Sequence, residues 1–159
     1  IPADIMILPR YMIFKNLKLL NTMWAIIIPS CVDVYFVFLL RQAFISIPES
    51  ISEAAKIDGC SYVSIFTKII LPLIKPALVT AGIFSFMWRW NDYLWPKLVI
   101  NGKEHYTLQL ALANFSGEFS VDWNSLLAMS VISMIPVLIV FVTLQKYIIG
   151  GMTAGGVKG

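Results

Sequence analysis

The chain has 159 residues, a net charge of +3 and only 13% charged residues, where a soluble globular domain carries about 25%. Hydrophobic residues make up 58% and the mean hydropathy is +0.80, too apolar to clothe a water-soluble surface of this size and too apolar for disorder. A soluble domain is therefore excluded, and an all-α, polytopic transmembrane bundle of one domain is predicted.

Two cysteines, Cys31 and Cys60, and one histidine, His105, are too few for a disulfide framework or a Cys/His zinc site, so no metal is predicted. Apolar or small neighbours surround both cysteines, which are expected to be small buried hydrophobes. The basic residues are scattered, and no nucleic-acid surface is predicted. The chain opens at Ile1 without a leader-peptide pattern and reads as the C-terminal fragment of a longer protein.

Residues 1–14 read as the end of a truncated span, interrupted by Asp4, Pro9 and Arg10. Residues 19–40, between Lys18 and Arg41, form a second span that contains Pro29 and one acid, Asp33. An unpaired charge at membrane depth is costly, so Asp33 is a candidate for the translocation pathway as well as for a structural hydrogen bond.

A third span is predicted over 76–95. Only 13 residues separate Lys75 from Arg89, about 20 Å of helix, so this helix carries the cluster Arg89-Trp90-Asn91-Asp92 to membrane depth or to the interface. Arg89 and Asp92, three apart, pair if the helix continues through both. Trp90, Asn91 and Asp92 are further candidates for the translocation pathway. The ring faces of Trp88, Trp90, Tyr93 and Trp95 suit either sugar stacking or an interfacial aromatic belt.

The fourth span covers 123–145, with no charge between Asp122 and Lys146. Pro136 is expected to kink it, which membrane helices tolerate where a neighbour satisfies the freed carbonyl. Lys and Arg divide six against six between the two sides, so the charge rule sets no orientation.

The stretch 46–75 is too polar at its start to be a span and too well patterned to be slack. Pro48 and Glu49 suit the first turn of a short helix. Ile51, Ala54 and Ala55 share one of its faces, while Glu53 and Lys56 point elsewhere. Asp58-Gly59 stops the helix, with Gly59 free to adopt the left-handed conformation. A second helix starts near Ser61, where Tyr62, Ile65, Phe66, Ile69, Ile70 and Leu73 make an apolar stripe of helical period. Two short helices joined by a glycine hinge form a knob suited to transmitting force from a soluble partner.

The string EAAKIDG, the following apolar run and LPLIKPAL resemble the cytoplasmic EAA loop of ATP-binding-cassette importer permeases. The likeness continues through MWRWNDYLWP, YTLQLALANFSG and the closing GGMTAGGVKG, and is similar to the second permease subunit of maltose-type carbohydrate importers. The resemblance implies that Glu53, Ala54, Ala55, Asp58 and Gly59, with Ile69, Pro72 and Pro76 in the second half of the loop, couple the permease to an ATPase subunit. It also implies a multi-pass location in a bacterial or archaeal cell membrane, with loop and tail cytoplasmic and Tyr106 to Asp122 outside. The implied partners are ATPase subunits, a second and different permease, an extracytoplasmic solute-binding protein and membrane lipid.

No catalytic residues are predicted, because the chain holds one His and no activated nucleophile in a recognisable setting. The tail lacks the GK[ST] ending of a phosphate-binding loop. No cofactor is expected on this chain, and the resemblance implies that ATP is used by the partner subunit. An ion-coupled secondary transporter is the competing class, for which Asp33 would have to supply a midplane coupling site.

Overall fold

The computed structural model describes the backbone of residues 3–115 and 122–156 and the side chains of residues 5–115 and 122–145. Among the described residues, the regular elements are all helical. They fall into two compact units, residues 1–32 with 87–138, and residues 33–86 with 139–159.

In the first unit a short turn, Ala3–Met6, leads into α1 (Ile7–Asn16). Pro9 sits in the first turns of α1, where its missing N–H is least costly. The chain leaves α1 through Lys18 and Asn21, both left-handed with φ 56°. Asn tolerates that conformation better than most residues, and here it is also tied on both sides. Its N–H donates to the Val99 carbonyl at 2.7 Å, and its Oδ1 accepts from the Asn101 and Gly102 N–H groups at 2.9 and 2.6 Å.

α2 (Trp24–Ser30) contains Pro29, which cannot donate to the carbonyl four residues back, at Ala25. Trp95, in α8 (Leu94–Val99), supplies that donor from its indole Nε1 at 2.8 Å. Phe14 packs edge-on to the Trp95 ring at 5.7 Å. With Ala25, Val99, Ile100 and Leu110 these two rings form a buried core, and Leu110 comes from α9 (Leu108–Asn114).

α10 (Trp123–Gly156) runs unbroken through Pro136. The proline removes the bond to Ile132 and loosens the turn before it. The indole Nε1 of Trp90 donates to the neighbouring carbonyl, Ser133, at 3.1 Å. Within α10 the stretch Trp123–Gln145 is long and apolar enough to cross a membrane. Gly150 to Gly156 continue the helix, and residues 157–159 of the predicted tail lie outside the described residues, as do residues 116–121 of the segment expected outside the membrane.

The second unit begins at Asp33, whose extended backbone and carboxylate cap α3 (Val34–Ile45) by accepting the Tyr35 N–H at 2.9 Å. The apolar stretch able to cross a membrane is therefore Trp24–Ile45, displaced towards the C-terminus from the expected 19–40 and interrupted between Ser30 and Val34. α4 (Glu49–Ile57) follows, then a helix over Tyr62–Leu73. That helix starts as α5 (Tyr62–Ser64), widens to a π-turn over Ile65–Ile70 and closes as α6 (Leu71–Leu73). After Ile74 the chain bends by 71° into α7 (Lys75–Trp90).

Three further expectations are corrected. The third helix ends at Trp90 rather than 95, because Asn91 Nδ2 folds back to the Met87 carbonyl at 2.8 Å and Asp92 engages the next helix. Such local side-chain bonds compete with helix propagation. The predicted Arg89–Asp92 pairing presupposed helix through both residues, which is not the geometry found. Finally, Cys31 and Cys60 are exposed rather than buried, since each follows a helix end instead of lying on a packed face.

Candidate functional site

The loop singled out by sequence lies wholly in the second unit. α4 ends in two crossed bonds: the Gly59 N–H donates to Lys56 O and the Cys60 N–H to Ala55 O, both at 3.0 Å. With Gly59 at φ +79°, this is a Schellman stop, in which a left-handed glycine satisfies the last carbonyls. Asp58 is the C-cap, and its own N–H donates to Ala54 O at 3.0 Å. Ala55 is buried, and Glu53 stands exposed beside Lys56. Ala54, expected on the packed face with Ala55, is exposed.

The second half of the loop departs from the α-helical period. Pro72 has no N–H for the carbonyl of Lys68, and the helix meets this by widening: the Leu71 N–H bonds to Phe66 O, five residues back. One residue is thereby inserted into the register, so the packed positions become Ile65, Ile70 and Ile74 rather than the whole predicted stripe. Ile65 and Ile74 are 5% and 4% exposed, whereas Tyr62 is 78% exposed. Ile69 is half-buried, and Pro72 and Pro76 are exposed on the flanks of the bend. Phe66 stacks on Phe44 of α3 at 6.2 Å with 15° between the rings.

The turn between the two helices presents Ile57 at 86% exposure, with Tyr62 at 78% and Val63 at 72%. Lys56 Nζ lies over the Tyr62 ring at 5.3 Å and holds the two sides of the turn together. The loop is thus a capped knob with an apolar tip.

The remaining candidates lie elsewhere. Asp33 caps α3 in the second unit. In the first unit, the Trp90 indole donates to Ser133 O and the Asn91 amide to its own helix, while Trp95 is buried. Asp92 lines a cleft of about 250 Å³ with Arg10, Trp88, Arg89, Leu94 and Trp95. Its Oδ1 accepts the Trp95 N–H at 3.4 Å. Arg10, read in the sequence only as a break in an apolar run, has its guanidinium carbon 5.2 Å from the Trp95 ring centroid. No spacing rule links residue 10 to residues 89–95, so only the fold reveals this grouping.

Among the described residues the regular elements are helical, and two stretches are long and apolar enough to cross a membrane, the architecture of an integral membrane component. Residues 1–153 match the family model for the binding-protein-dependent transport system inner membrane component, and the chain belongs to that family. Along its full length it is 39% identical to the arabinooligosaccharides transport system permease protein AraQ of Halalkalibacterium halodurans and 35% identical to AraQ of Bacillus subtilis, covering 57% of each. Over 96% of this chain it is 33% identical to the polygalacturonan/rhamnogalacturonan transport system permease protein YtcP of Bacillus subtilis, covering 58% of that protein. A crystal structure of a bacterial ABC transporter involved in the import of the acidic polysaccharide alginate superimposes with TM-score 0.76 at 32% identity, over 88% of this chain and 55% of that one. The chain therefore spans somewhat more than half the length of the relatives it matches.

Proposed function

We propose that the chain is part of a permease subunit in an ATP-driven carbohydrate importer of a bacterial or archaeal cell membrane. The observation that carries this reading is the knob of the second unit, in which a capped helix exposes Ile57, Tyr62 and Val63 beside Gly59. A tip of large apolar side chains on a short polar loop suits docking into a cleft of a partner. The relatives' names, which specify arabinooligosaccharide and polygalacturonan/rhamnogalacturonan transport, support saccharides as the substrate class.

In this reading Glu53, Ala54, Ala55, Asp58 and Gly59 form the docking helix and its stop. Ile69, Pro72 and Pro76 set the π-turn and the bend that pass its movement to α7. ATP is bound and hydrolysed by separate ATPase subunits, a second permease completes the pathway, and an extracytoplasmic binding protein delivers the sugar. The chain itself has no catalytic task.

The test is the complete importer in proteoliposomes, with ATP hydrolysis and uptake measured together. Gly59→Pro and Glu53→Lys are expected to leave ATP hydrolysis uncoupled from uptake. Wild-type coupling in both variants would remove the docking role.

A further inference from the structure

We infer that Asn101 is a site of spontaneous deamidation and that the side chain of Asn21 guards it. The inference stands apart from the importer reading, because it concerns backbone chemistry within the first unit. Asn101 is the only asparagine of the chain followed by glycine. It is exposed, in the irregular stretch between α8 and the single turn Lys103–His105. Glycine carries no side chain to crowd its own nitrogen, so the asparagine amide can meet that nitrogen.

The reaction is a ring closure followed by hydrolysis. The Gly102 nitrogen loses its proton to base and attacks Asn101 Cγ. A C–N bond forms, the bond from Cγ to Nδ2 breaks, and the amide nitrogen takes up a proton and leaves as ammonia. Water then opens the cyclic imide at either carbonyl, giving aspartate or isoaspartate. One water is consumed for each ammonia released, and nothing is oxidised or reduced.

The geometry opposes the first step. The proton that must leave Gly102 is the one donated to Asn21 Oδ1 at 2.6 Å. The same oxygen accepts the Asn101 N–H at 2.9 Å, so the backbone is fastened at both nitrogens. The Glu104 carboxylate lies against Gly102, in the space a side chain would fill. Its negative charge disfavours a second one on the neighbouring nitrogen. Attack therefore requires the bonds to Asn21 to open first. Isoaspartate inserts an extra carbon between these two N–H groups, which then no longer converge on one acceptor. The modification thus removes its own guard and unfastens the segment after α8 from the one after α1.

The experiment incubates the full-length permease in nanodiscs at mildly alkaline pH and follows Asn101 by peptide mapping with mass spectrometry. A synthetic peptide of residues 98–105 gives the unguarded rate. Asn101 in the folded protein should convert at least about tenfold more slowly than in the peptide, the weight of one hydrogen bond. Asn21→Gly keeps the left-handed backbone and removes the acceptor, and should raise the rate by about tenfold. Asn21→Asp retains an acceptor and should leave the rate unchanged. Asn124, in the first turn of α10, should convert equally slowly in all three proteins.

A folded rate equal to that of the peptide overturns the guard, as does an Asn21→Gly rate equal to that of the unmodified protein. Acceleration at Asn124 as large as at Asn101 would trace the effect to general loosening and overturn it too. Absence of conversion in the peptide would remove the modification site itself. The comparison of folded protein with peptide needs no variant, so it decides the matter even where Asn21→Gly fails to assemble.

Discussion

Trp95 donates its indole N–H to the carbonyl of Ala25 at 2.8 Å, the carbonyl that Pro29 leaves without a helical partner. The pairing is local chemistry solved at long range, since 70 residues separate donor from acceptor. Ala25 is fully buried, and water cannot replace the indole there. Trp95→Phe keeps the ring and removes the donor, and is expected to cost about 1–3 kcal/mol, the penalty for a buried unsatisfied carbonyl. Pro29→Ala supplies a backbone donor to the same carbonyl, so the cost of Trp95→Phe should shrink in that background. Unfolding of the four proteins of this cycle in mild detergent measures the coupling, and strict additivity would show that the indole bond is not the reason for the pairing.

Gly59 has open space where a Cβ would stand, and only its φ of +79° resists a side chain. Gly59→Ala should therefore weaken the knob by about 1–2 kcal/mol, the cost of a left-handed L-residue, and Gly59→Asn by less. Hydrogen exchange at the Cys60 amide reads this directly, because that N–H closes the stop onto Ala55 O. Equal protection in all three proteins would show that the stop does not depend on glycine.

The helix type, the apolar character of the last helix and the left-handed Gly59 were legible in the sequence because each depends on neighbours along the chain. Apolar length marks Trp123–Gln145, and a helix that ends at Asp58-Gly59 needs only local bonds. The rest was hidden for physical reasons. Pro72 converts an α-period into a π-turn, so Leu73 is exposed although its spacing places it in one stripe with Ile65. Pro29 advertises a disturbed carbonyl at Ala25, but nothing along the chain names Trp95 as its donor. Trp90 and Trp95 are legible as ring faces, but not the bonds their indoles donate to Ser133 O and Ala25 O, and Arg10 joins Asp92 only through the fold.

Asp122 precedes α10 and accepts the Ser125 N–H at 3.2 Å. The Ser125 side chain first, and then its backbone, hold the Asp122 carboxyl below its ordinary value of 3.8. A carboxyl whose pKa is lower in the folded state stabilises that state above the unfolded value, and the contribution disappears as pH falls through the folded one. The first turn of α10 should accordingly loosen only below pH 3.8. Asp122→Asn should remove this acid step while retaining a cap. Amide exchange at Ser125 between neutral and acid pH checks it, and because the group is fully exposed the effect should diminish in high salt.

Asn21 carries two burdens that a single substitution separates. Its backbone is left-handed, and its Oδ1 receives both the Asn101 and Gly102 N–H groups. Asn21→Asp keeps the acceptor and a tolerable left-handed residue, so it should change stability little. Asn21→Ala loses two acceptor bonds and adds the left-handed penalty, for an expected loss of about 2–4 kcal/mol. Asn21→Gly keeps the conformation and loses only the bonds, and should fall between them. Because these bonds fasten the segment after α1 to the one after α8, the Ala variant should also expose the core ring of Trp95, visible as a shift of tryptophan emission to longer wavelength. An Ala variant as stable as the Asp variant would show that the Val99 contact alone holds the two segments together.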